Sequence, residues 1–258
     1  MPRSRLGSVG AVLLLGVAAY IGARPLGPLP PLGPLLDPAN GLWASVRTAE
    51  LPPLAAGSIP GLTGEVSVTY DDRGVPHIFA TNTLDAYRAL GYVVARDRLF
   101  QIDLQTRAGG GTLTELVGER ALPLDRSTRA LGMPRAAEQR VLQADTTAHT
   151  WRMAMAYADG VNAWTRSLSA RDMPVEYKLL GRAPRVYGPV DMMHMLNRMG
   201  YTLSSSEDEL RQVRAAALIG QEAALALFSP HSPIVEPIQP NGQRAPRRDA
   251  VVLPAPGR

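Results

Sequence analysis

Four sets of residues in this chain have types and spacings that could do chemistry. Met192, Met193, Met195 and Met199 crowd one stretch, with 192, 195 and 199 at i, i+3 and i+7, and Arg198 stands beside the last. Methionines at helical spacing suit a flexible apolar ligand, and they suit an ordinary core stripe equally well. Ser204-Ser205-Ser206-Glu207-Asp208-Glu209 gathers carboxylates fit for a hard cation. The same residues would also favour a helix macrodipole, and Ser206 with Glu209 makes a capping box. Asp97 and Arg98 fall on a helix whose apolar face should be buried, where an unpaired charge is costly. An internal salt bridge that fixes the helix is the expectation for that pair. The four histidines have no metal-ligand spacing, and there is no cysteine, hence no disulfide, thiolate site or cysteine nucleophile.

The elements that must position these residues belong to a globular chain. Of 258 residues, 45% are hydrophobic and 19% charged, a balance that supports a packed core. A net charge of +4, spread over scattered arginines without interleaved aromatics, carries no nucleic-acid signal.

Arg3 and Arg5 precede the uncharged run Leu6 to Ala23, and Arg24 follows. A basic flank before an apolar run is the pattern of a signal peptide or signal anchor. Eighteen residues rise about 27 Å as a helix, just short of a bilayer core. Residues 1–24 are therefore expected to be a signal anchor, or a cleaved signal, placing the rest outside the cytoplasm. Residues 25–60 carry nine prolines and are expected to be an extended linker without regular helix.

From Gly61 the pattern changes. Val66 to Tyr70 alternates with period two, Asp71-Asp72-Arg73-Gly74 is a turn, and Pro76 to Ala80 is the returning strand. Asn82 offers an N-cap, with Asp85 three residues on. The helix so started carries Ala86, Leu90, Val93, Val94, Phe100 and Leu104 and ends at Gly109-Gly110-Gly111. Further helices are predicted at about 134–144, 147–168, 190–199 and 206–228. Gly91 and Gly160, inside helices, cost roughly 1 kcal/mol each against alanine, which implies close approach of neighbouring elements. Residues 61–228 thus form one domain, and 229–258 a proline-rich tail.

Four segments then carry a resemblance. Tyr70-Asp71-Asp72-Arg73-Gly74-Val75-Pro76-His77-Ile78 is similar to the hairpin that opens the α chain of penicillin acylases. Leu90 to Asp103, reading Gly91-Tyr92…Ala95-Arg96-Asp97-Arg98-Leu99-Phe100-Gln101, resembles the helix that follows it. Gly111 to Gly118 and Tyr157-Ala158-Asp159-Gly160-Val161-Asn162-Ala163-Trp164 resemble two later segments, in the family's order.

The resemblance implies an α+β fold: the mostly helical α-chain part of an αββα N-terminal-nucleophile hydrolase. One N-terminal β-hairpin is present, and the central sheet is largely missing. It implies a precursor that cleaves itself, so that the serine opening a β chain attacks an acyl amide with its own α-amine as base. The substrate would be a small acyl amide of the penicillin or N-acyl-homoserine lactone type. Met195, Arg198 and Met199 would line the acyl pocket, and Glu207 would be the calcium ligand (a structural Ca2+ in the assembled enzyme).

The Gly-Ser pair that opens the family's β chain occurs here only at Gly7-Ser8 and Gly57-Ser58, upstream of every motif. No catalytic residue is therefore expected within the chain, which should be inactive alone. The β chain would come by cleavage or from a separate gene. The rival readings are a membrane-tethered, non-catalytic helical binding protein and a truncated, inactive fragment.

Overall fold

The computed structural model describes residues 3–24, 31–47, 59–204 and 208–228. The chain divides into two units, Met1–Leu203 and Ser204–Arg258. The fold is α+β: helix dominates, and the described sheet is a single two-stranded hairpin.

In the first unit, β1 (Val66–Tyr70) pairs antiparallel with β2 (Pro76–Ala80), in the register Val66 to Ala80 through Tyr70 to Pro76. The turn is built by Asp71, whose Oδ1 accepts from the amides of Arg73 at 3.0 Å and Val75 at 2.8 Å. Gly74 supplies the left-handed residue at φ 73°.

Helix α4 (Thr83–Gly110) begins where the Asn82 carboxamide accepts from the Asp85 amide at 2.9 Å and ends at Gly111, φ 62°. It crosses α8 (His149–Ser167), and this pair makes the core. The crossing is possible because each helix offers a glycine. A Cβ at Gly91 would collide with the Tyr157 carbonyl, and one at Gly160 with the carbonyl of Arg88. The close approach expected of both glycines is the reason for them. Around the crossing, Ala95, Leu99, Ile102, Leu116, Ala158, Val161, Tyr177 and Tyr187 form the buried cluster.

Shorter helices cover that pair: α5 (Thr114–Val117), α6 (Leu122–Ala130), α7 (Met133–Leu142), α9 (Val175–Leu180) and α10 (Pro189–Ser204). Asp125, 4% exposed, receives the Leu113 and Thr114 amides at 2.9 and 2.8 Å, so α6 fixes the start of α5.

Ahead of the hairpin lie α1 (Arg3–Gly22), α2 (Leu32–Leu36) and α3 (Leu42–Arg47). Proline density does not exclude helix from all of residues 25–60. Pro31 precedes α2 and Pro34 falls in its first turn, where a missing N–H costs no hydrogen bond. Both short helices touch α9, and Lys178 donates to Ser45 Oγ at 2.9 Å. Among the described residues no helix is long and apolar enough to cross a membrane. The anchor expected of residues 6–23 is not supported.

In the second unit, α11 (Asp208–Ile219) and α12 (Gln221–Leu227) pack on one another around Ala224. The sequence predicts one helix here. Gly220, at φ 87°, breaks it in two.

Candidate functional site

Helix α10 carries the three residues expected to face an acyl group. Its first turn is tied down by Asp191, which accepts from the Gly188 amide at 2.9 Å and pairs with Arg185. One turn on, His194 is 8% exposed and lies on the glycines that end α4. A further turn on, Asn197 donates to the Met133 carbonyl at 3.1 Å, and Arg198 Nε donates to Gln105 Oε1 at 2.7 Å. Residues 194, 197 and 198 therefore mark the face turned toward α4 and α7.

The methionine stripe does not share one environment. Met192 packs against the core cluster, Met195 is half-buried, and Met199 is 53% exposed beside an exposed Leu196. Arg198 stands behind that open apolar edge, held by Gln105. Glu207 lies outside the described residues. Among the described residues no three acidic or imidazole side chains stand together to hold a metal ion.

The salt bridge expected of Asp97 is not formed. Asp97 Oδ1 is buried without a hydrogen-bond partner, and α4 leaves helical geometry at Arg98, with φ −142° and ψ 26°. Burial raises the Asp97 carboxyl above its usual range, opposed by the nearby charges of Arg96 and Arg98. The Arg98 side chain is exposed at this break. The kink borders a cleft of about 450 Å³ whose wall includes Trp164, Met173 and Glu176.

The charge pair that does fix α4 lies further along the helix, beyond the kink, and the sequence reading missed it. Asp103 Oδ1 accepts from Arg107 Nε at 2.7 Å, and Asp103 Oδ2 accepts from the Tyr177 hydroxyl at 3.0 Å. Arg107 reaches on to Glu115 at 3.1 Å, and Arg185 lies 3.7 Å from Asp103. Burial and the Asp103 carboxylate push the Tyr177 phenol far up, so it stays protonated and donates to Asp103. The i, i+4 spacing of Asp103 and Arg107 was the available signal. Asn162 of the fourth motif is structural: it donates to the Tyr187 carbonyl at 2.8 Å and accepts the Tyr187 amide at 2.9 Å. His77 of the first motif is half-exposed and 3.5 Å from Asp71.

Residues 65–242 match the family described as Penicillin amidase. The chain belongs to that family. It is 39% identical over 180 residues to penicillin acylase 2 proenzyme of Pseudomonas sp. (strain SE83), covering 69% of this chain and 23% of that protein. It is 28% identical over 198 residues to penicillin G acylase of Escherichia coli, covering 74% and 23%. Against acyl-homoserine lactone acylase QuiP of Pseudomonas aeruginosa the identity is 30% over 194 residues, covering 74% and 22%. Among solved structures, the thermostable penicillin G acylase from Alcaligenes faecalis in tetragonal form superposes with a TM-score of 0.54 at 26% identity. The match covers 72% of this chain and 100% of that one. The chain spans less than a quarter of the length of these curated relatives.

Proposed function

We propose that these residues form the N-terminal part of an amidohydrolase that cleaves small acyl amides of the penicillin or N-acyl-homoserine lactone type. The observation that carries this is the family match across residues 65–242, in a fold that covers the whole of a penicillin G acylase chain. In this reading the nucleophile is the N-terminal serine of a β chain that lies outside these residues. Its Oγ attacks the amide carbonyl while its α-amine takes the hydroxyl proton. The amine leaves, and water releases the acid from the acyl-enzyme.

This chain's part is to shape the acyl side of the site. Met195 and Met199 offer an adaptable apolar edge, and Arg198, seated on Gln105, sets how α10 presents them. We also propose Glu207 as a calcium ligand completed by carboxylates of the β chain; no step depends on that ion. The positively flanked apolar segment at the N-terminus supports action outside the cytoplasm.

The test is to co-express the chain with a nucleophile-bearing second chain. Acid release from phenylacetyl and fatty-acyl amides is measured for each chain alone and for the pair. Hydrolysis by the pair alone is expected. A folded pair that hydrolyses neither class of amide overturns the reading.

A further inference from the structure

Among the described residues of the first unit, His194 is the one buried imidazole, and nothing in the chemistry above uses it. Neither of its ring nitrogens has a hydrogen-bond partner. The ring lies on bare backbone: a Cβ added at Gly110 would come within 2.8 Å of both Cε1 and Nδ1, and one at Gly109 within 2.5 Å of the His194 carbonyl oxygen. The Gly109-Gly110 pair is thus the socket in which α10 meets the end of α4. No residue other than glycine leaves room for that ring.

We propose that His194 is an acid-sensitive seat for α10: uncharged, it lets the helix rest on Gly109 and Gly110, and protonated, it drives the helix off.

A neutral imidazole leaves one donor and one acceptor unpaired in this socket, a smaller cost than that of an unpaired buried charge. An imidazolium, with two donors, needs acceptors that the socket does not hold. On its own helix the facing charge is Asp191, already taken by Arg185 and the Gly188 amide. From the segment ahead of α10 comes Arg185 itself, whose positive charge opposes a second one. From α7 comes Glu138, which is exposed. From α4 the contact presents glycine only, and the cation of its last turn, Arg107, is engaged by Asp103 and Glu115. The contacts that would resist release are two hydrogen bonds on the same face, Asn197 to Met133 and Arg198 to Gln105.

Burial, opposed by Asp191, holds the imidazole below its ordinary value. The unfolded chain therefore takes up the proton first. The seat is intact above about pH 6.5 and is lost as pH falls below it. Because α10 carries Met195 and Met199, release would undo the acyl edge, a consequence that rests on the function proposed above.

The test reads the helix rather than the activity. Hydrogen–deuterium exchange of α10 peptides in the whole 258-residue chain is compared at about pH 7.5 and about pH 5, corrected for intrinsic rates, with α8 peptides as reference. The wild-type α10 is expected to lose protection at least about tenfold more than α8 on acidification. His194→Leu should keep α10 protected at both values, and Gly110→Ala should leave it unprotected at both. If leucine leaves α10 loose, His194→Phe, which keeps a ring on the glycines, takes its place. Equal wild-type protection of α10 at both pH values, or none at either, overturns the proposal. So does acid release that persists in the leucine variant, or failure of both neutral variants to hold α10 at low pH. A failed acylase assay would leave every one of these outcomes unchanged.

Discussion

Gly91 of α4 lies against the backbone carbonyl of Tyr157 on α8, closer than any side chain would permit. Gly160 repeats the contact in the other direction, against the carbonyl of Arg88. Two long helices thereby approach at backbone distance, and the buried cluster of the first unit forms around that crossing.

Alanine at either glycine should force the helices apart. Overpacking of this kind costs about 1–3 kcal/mol, and here the neighbour is backbone, which yields little, so the upper end is expected. Gly200 gives the opposite sign as a control. It lies in α10, and among the described residues no atom beyond its own stretch of helix stands within 4 Å of the place an alanine methyl would take, so Gly200→Ala should stabilise by roughly 0.5–1 kcal/mol. Equilibrium urea unfolding of the three variants checks both signs. Equal effects at Gly91 and Gly200 would show that the crossing is not tight.

Much of this architecture was legible in the sequence because it is local. Period-two alternation marked β1 and β2, Asn82 and Gly111 bounded α4, and two costly helical glycines marked the crossing. What could not be read depends on which groups meet across the fold. Asp97 and Asp103 lie on one helix, six residues apart, yet only Asp103 meets a buried arginine, because α4 kinks between them at Arg98. The single helix predicted from 206 onward overlooked one glycine with a positive φ. At α10, spacing alone put Met192, Met195 and Met199 on one stripe. It could not show that Met192 turns to the core while Met199 stays open. The proline-rich stretch gained two short helices because α9 offers them a surface.

The Asp103–Arg107 pair, with Arg107 only 7% exposed, should matter more when broken than when replaced. Removing one partner strands the other's charge: Asp103→Leu or Arg107→Met alone is expected to cost about 3–5 kcal/mol. The double variant should recover much of that loss, because no buried charge is left unpaired. A double-mutant cycle by urea unfolding measures the difference. Strict additivity of the two single effects would mean that the pair does not act as a unit.

Asp85, 1% exposed, gives stability a defined acid limb. Desolvation pushes its carboxyl up, but donors from Asn82, Thr63 and Gly64 outweigh that and hold it below the usual carboxylate range. A depressed folded value means that the unfolded state binds the proton first. The contribution is therefore complete above about pH 4 and is lost as pH falls through the folded value. Asp85→Asn should lower the melting temperature near neutrality and flatten its fall in acid. An acid limb as steep in the variant as in the wild type would place the sensitive carboxylate elsewhere.

Met199, at the open edge of α10, separates the acyl-edge reading from an ordinary packing role. It is 53% exposed in this chain, so truncation removes little buried apolar surface, and Met199→Ala should change unfolding free energy by less than about 1 kcal/mol. In an enzyme assembled with its second chain, the same change should lower kcat/KM for a long acyl amide by about tenfold or more, since each methylene contact in an apolar pocket carries about that factor. A short acyl amide, which does not reach the edge, should be spared. Arg198→Ala should behave differently: it frees Gln105 and loosens the seating of α10, so all acyl lengths should suffer together. Kinetics across a series of acyl chain lengths separates the two patterns. An equal loss for long and short acyl groups in Met199→Ala would remove this methionine from the site.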